Sequence, residues 1–154
     1  MSLRTVLAAA LLLAGAAPLP ALAAADGAAI FARCAACHTR TGAGVPGTYP
    51  PLQADYRRLA TSPAGRRYLV LTVVRGQMGP LTVEGKPYAG VMPAQAGLDD
   101  EAIAAVLNHV GTTIAQSGPV FRPFTAAEVG KLKTGAQGLS PADVNKLHQV
   151  AGGK

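Results

Sequence analysis

Tryptophan is absent from this chain of 154 residues, which has only three phenylalanines and four tyrosines. Much of its apolar fraction is alanine, so bulk for a core is short. A small domain built this way generally needs a staple, a metal or a cofactor to pack around. Long basic runs are missing as well: the arginines fall as scattered pairs, Arg57-Arg58 and Arg66-Arg67, with no aromatic-basic RNA motif. That pattern argues against nucleic acid as a partner. After the first two dozen residues no segment is long and apolar enough to cross a bilayer, which takes roughly 20 apolar residues.

What is present begins with a leader. Met1 to Arg4 supply a positive start, Val6 to Ala17 an apolar run, and Ala21-Leu22-Ala23 a small-residue cleavage site. Pro18 and Pro20 break the run, which favours a cleaved signal peptide over residues 1–23 rather than an anchor, and hence a periplasmic location. Cleavage removes Arg4, so the formal charge of +6 becomes about +5 and the mature chain stays basic. A basic surface serves either solubility or docking on an acidic partner.

The only two cysteines lie in Cys34-Ala35-Ala36-Cys37-His38. Cys-x-x-Cys-His is the attachment pattern of a c-type haem. Cysteines three apart on a helical turn put both sulfurs on one side, spaced to add to the two vinyl groups of a single macrocycle, and His38 follows as the proximal iron ligand. A thioredoxin-like disulfide would expect a βαβ surround and does not require the histidine. A zinc site needs about four ligands, and three scattered histidines offer no second ligand pair. With a leader in front, the motif points to one covalent haem c.

From about Asp26 to Ser117 the sequence resembles the monohaem, His/Met-ligated cytochrome c family. The stretch Gly76-Gln77-Met78-Gly79-Pro80 through Tyr88-Ala89-Gly90-Val91-Met92-Pro93-Ala94 is similar to the bacterial branch found as a subunit of dehydrogenases and oxidases. The resemblance implies an all-α fold, a few short helices around one haem with a small hairpin, and electron transfer rather than enzymatic turnover. It implies a methionine before the last helix of the haem domain as second axial ligand. Met92 matches, since it precedes Pro93 and stands shortly before Asp99, whereas Met78 reads as a packing residue filling a gap. It also implies a proline carbonyl that accepts the proximal histidine's Nδ1 proton. Pro50, two before the cofactor-binding position Leu52, matches that place, with Pro51 as the alternative. The implied partners are a redox-protein donor and acceptor, a dehydrogenase large subunit among the candidates. The competing function is a haem protein with an open sixth position, acting as peroxidase or gas sensor.

The chain departs from the family in three places. His109 replaces an aromatic of the last helix, Ile114 a tryptophan, and Ala89 the branch's usual asparagine. His109 is also a rival iron ligand, against which Met92 is the better match.

Local signals agree with the helical reading. Asp26 caps a helix running into the attachment motif, and Ser62-Pro63 opens one that ends near Gly76. A hairpin turns at Glu84-Gly85, and Asp99 caps a helix with the stripe Ile103, Val106, Leu107 and Val110. The Gly- and Pro-rich stretch 39–51 is a loop beneath the histidine side of the haem. The haem domain thus spans 24–117. Residues 118–154 form an extension in which Thr125 with Glu128, and Ser140 with Asp143, open two short helices fifteen positions apart. These helices either fold against the domain, hang loose, or dock a partner subunit.

Overall fold

The computed structural model describes residues 24–53 and 55–153; the leader read in residues 1–23 lies outside the described residues. Among the described residues six α-helices and one hairpin follow in order: α1 Gly27–His38, α2 Tyr56–Leu59, α3 Pro63–Arg75, β1 Leu81–Val83, β2 Lys86–Tyr88, α4 Asp100–His109, α5 Ala126–Leu132 and α6 Pro141–Val150. No helix among the described residues is long and apolar enough to cross a membrane.

Each long helix starts where a short polar side chain satisfies free amides. The Asp26 carboxylate accepts from Ala28 N at 2.9 Å and Ala29 N at 3.2 Å. Ser62 accepts from Gly65 N at 3.0 Å, with Pro63 at the first helical position, and Asp99 accepts from Ala102 N at 2.8 Å. In the hairpin Glu84 and Gly85 both have positive φ, 49° and 74°, so two strands of three residues close on a two-residue turn. Ser140 and Asp143 make the full reciprocal cap of α6. The pair opening α5 departs from it. Thr125 accepts from Glu128 N at 3.1 Å, but the Glu128 carboxylate turns to Arg66 instead.

α1 crosses α4 at Gly27, where a Cβ would run into the Ala105 carbonyl. His109, the rival ligand, lies in this crossing with its ring 5.3 Å from that of Phe31. After His109 the helix loosens into a π-helical turn, Val110–Ile114, which no sequence signal announced. The predicted stripe is buried in full: Ile103, Val106, Leu107 and Val110 are each at most 5 % exposed.

The extension is part of the same core. Phe124, Val129, Ala136 and Val144 cluster with Phe31, Tyr68 and Leu107; α5 packs on α4 and α3, and α6 on α3. Arginines of the body fasten it. Arg66, 3 % exposed, holds Glu128 bidentately at 2.6 and 2.7 Å, donates to the Arg122 and Pro123 carbonyls, and lies over the Phe124 ring at 3.6 Å. Arg67 donates to the Leu132 and Thr134 carbonyls, Arg75 to Leu139 O, and Arg58 to Gly152 O. Arg58, Arg66 and Arg67 of the arginine pairs therefore have a third use besides solubility and docking: they hold the extension down.

Candidate functional site

α1 ends by delivering the motif to a cleft. Cys34 and Cys37, both half-buried and not joined to each other, are one turn apart, and His38 is 7 % exposed at the helix end. The chain then reverses through Thr39, with φ of 65°, into the loop that passes under His38. His38 Nδ1 lies 2.9 Å from the Pro50 carbonyl oxygen. A carbonyl only accepts, so Nδ1 carries the hydrogen and the lone pair of the neutral ring is on Nε2. Burial lowers the imidazole's pKa, against the smaller opposing effect of the Pro50 bond, so the ring is neutral and its lone pair available. Pro50, and not Pro51, is the acceptor. The loop is pinned by Gly44 N to His38 O at 2.9 Å and Leu52 N to Gly42 O at 2.8 Å.

Met92 comes to the cleft from a loop without regular structure of its own. That loop is zipped to the segment after α3: Gln77 N donates to Met92 O at 2.8 Å and Met92 N to Gln77 O at 2.9 Å. Gly76 permits the approach, since its φ is 74° and a Cβ there would strike the Met92 carbonyl.

All six residues singled out in the sequence, Cys34, Cys37, His38, Pro50, Leu52 and Met92, line this one cleft. Met78 does not. It is 46 % exposed, so it fills no gap, contrary to the packing role read for it. The rest of the wall is largely apolar, with Leu69, Val73, Leu98, Val106 and Leu107 prominent. A large flat apolar macrocycle, gripped at one edge by two thiols and faced by an imidazole and a thioether, fits this donor set and this wall.

Sequence reading missed a polar group in the same wall. Tyr68, Gln77, Asp55 and His148 all line the cleft. Tyr68 OH donates to Gln77 Oε1 at 2.8 Å, and burial pushes the phenol up to about 12, so it stays a donor throughout the physiological range. His148, on α6, is 2 % exposed, places Nε2 at 2.8 Å from Asp55 Oδ2, and packs edge-on against Tyr68. Burial, helped by the Arg58 guanidinium, lowers its pKa, so the neutral ring donates Nε2–H to the carboxylate. The signal that was available was weak: Asn145 and His148 fall three apart on the extension's last helix, one face of a helix whose target is invisible locally.

A family model described as cytochrome c matches residues 24–113. The chain is 47 % identical over 126 residues to a cytochrome c-552 from one strain of Thermus thermophilus, covering 80 % of this chain and 84 % of the relative. It is 46 % identical over 122 residues to another cytochrome c-552 from Thermus thermophilus, covering 78 % of this chain and 92 % of that relative.

Proposed function

The chain belongs to the cytochrome c family, carriers of covalent haem c and of electrons, and we propose that it works in the periplasm as a relay between a dehydrogenase and the respiratory chain. In this reading Cys34 and Cys37 would hold the haem through its vinyl groups, and His38 and Met92 would ligate its iron. Bound haem supplies a one-electron couple. What carries this reading is the meeting of a half-buried thiol pair, a histidine oriented by Pro50, and Met92 in one apolar cleft.

The chain's residues set the conditions of that couple. Pro50 fixes the tautomer and the direction of the imidazole, which keeps the proximal bond from reorganising. With haem bound, Met92 would supply the second ligand to iron from the cleft wall, which would leave no position for substrate and suit the site to electron exchange. A thioether ligand and an apolar wall both favour the less charged ferrous state and raise the potential. Export through residues 1–23 puts the cysteines where haem attachment takes place.

Two measurements on the protein made in a host with haem-attachment machinery test this. The mature chain should carry the mass of one haem, and its oxidised form should show the sulfur-to-iron band in the far red. A chain without added mass overturns the attachment. Added mass with no band and rapid carbon monoxide binding to the ferrous protein leaves a haem protein with an open sixth position. Co-purification with a large subunit from the native periplasm tests the dehydrogenase partner.

A further inference from the structure

The loop that carries Met92 is tied on either side of it, by Ala89 N to Gly47 O at 3.1 Å, Gly90 N to Thr48 O at 2.8 Å and Gln95 N to Val73 O at 2.9 Å. Methionine has three freely turning side-chain torsions, and a thioether is a neutral, weak ligand whose bond depends on placement. At Met92 itself the backbone partner is Gln77, bonded to it in both directions. Gln77 is only 8 % exposed, and its side-chain amide is engaged at both ends. Oε1 accepts from Tyr68 OH at 2.8 Å, and Nε2 donates to Asn145 Oδ1 at 2.8 Å. Asn145 in turn donates from Nδ2 to Pro80 O at 2.9 Å, and Met78 N donates to Pro141 O at 3.2 Å at the start of the same helix. The segment 77–80, which the Met92 loop leans on, is thus fastened to α6 by three hydrogen bonds. The fastening comes from far along the chain, since Asn145 and Gln77 are 68 positions apart.

We propose that Asn145, on the C-terminal helix, is a positioning residue for the Met92 sulfur, acting through Gln77. The extension then contributes to the axial bond and not only to the core. Asn145 sets the plane of the Gln77 amide, Gln77 sets the position of the Met92 backbone, and the sulfur would thereby be held for the iron of a bound haem. This rests on the reading of Met92 as ligand, and the test separates the two.

The experiment compares the holoprotein with Asn145→Ala, Asn145→Asp, Gln77→Leu and the double variant Asn145→Ala/Gln77→Leu. It reads the sulfur-to-iron band, the rate of carbon monoxide binding to the ferrous form, and the melting temperature. Asn145→Ala removes the bond to Gln77 Nε2 and the one to Pro80 O; loss of one net hydrogen bond changes an equilibrium by about fivefold, so through the Gln77 bond this variant should bind carbon monoxide about fivefold faster, with a weakened band. Asn145→Asp keeps the acceptor for Gln77 Nε2 and loses only the bond to Pro80 O, so if the route runs through Gln77 it should bind carbon monoxide as the unmodified protein does. The double variant should be no worse than Gln77→Leu alone, because the two residues act in series. If the unmodified protein lacks the band, the Met92 reading fails first. If it has the band, and Asn145→Ala lowers only the melting temperature, Asn145 is a structural residue and the proposal is overturned. Additive effects in the double variant overturn the route through Gln77.

Discussion

At the scale of single residues, the site is a question of which lone pairs face the cleft. His38 spends Nδ1–H on Pro50 at 2.9 Å, which leaves Nε2 to a metal. Met92 lines the same cleft, whereas Met78 is an exposed side chain outside it. Axial ligands move haem potentials over a range of about 0.8 V, so Met92→Ala should lower the potential by on the order of 100 mV or more. It should also abolish the sulfur-to-iron band and open the ferrous iron to carbon monoxide. Met78→Ala should leave band and potential alone and change stability by about 0.5 kcal/mol or less, as surface substitutions do. A redox titration with spectra of both variants checks this, and a band that survives at Met92→Ala but vanishes at Met78→Ala reverses the assignment. Both methionines flank glycine- or proline-containing turns, so local sequence did not separate them by itself; what favoured Met92 was the resemblance to the family. Pro50 over Pro51 was legible in the same way, by its distance from Leu52. His148 was not legible, because what makes it notable is Asp55, 93 positions away.

At the scale of elements, starts and stops were readable because their physics is local. Asp26, Ser62, Asp99, Thr125 and Ser140 each cap an amide within three residues. What the elements do to one another was not readable. Arg58 reaches Gly152 across 94 positions and Arg75 reaches Leu139 across 64. A paired arginine looks the same in sequence whether it meets solvent, a partner or a distant carbonyl. Glu128 shows the difference most directly. Its spacing from Thr125 reads as a capping box, but the Arg66 guanidinium claims the carboxylate, and this bond, with Arg122 alongside, lowers its pKa to about 2. A carboxyl whose folded pKa lies below the ordinary value stabilises the fold fully above that ordinary value, and the contribution is lost as pH falls through the folded one. The window is therefore from about 4.5 down to about 2. Glu128→Gln should lose on the order of 1 kcal/mol at neutral pH, a figure kept small because water reaches the carboxylate. It should also show a flatter fall in melting temperature between those pH values than the unmodified protein. Parallel curves for the two proteins would mean that Arg66 is held by the carbonyls of Arg122 and Pro123 alone.

At the scale of the whole molecule, the deciding fact is that a chain poor in aromatic bulk finishes its core with residues from beyond the haem domain. Phe124 is 3 % exposed, and Val129 and Val144 are wholly buried. Fully burying such a side chain is worth about 1.5–3 kcal/mol, and a domain's net stability is only about 5–15 kcal/mol. Removing residues 118–154 also removes the entropic cost of ordering them, which offsets the loss on the extension's own side. Nothing offsets the surface it uncovers on α3 and α4, where the arginine donors and part of the apolar core lose their cover. The truncated holoprotein should therefore melt far below the full chain. It should also lose the sulfur-to-iron band before it loses its secondary structure, because Asn145 leaves together with His148 of the cleft wall. Thermal melts followed at once by far-ultraviolet circular dichroism and by that band check the order of events. If the truncated protein keeps both the melting temperature and the band, and fails only to bind its redox partner, the extension is a docking segment and its packing against α3 and α4 is incidental.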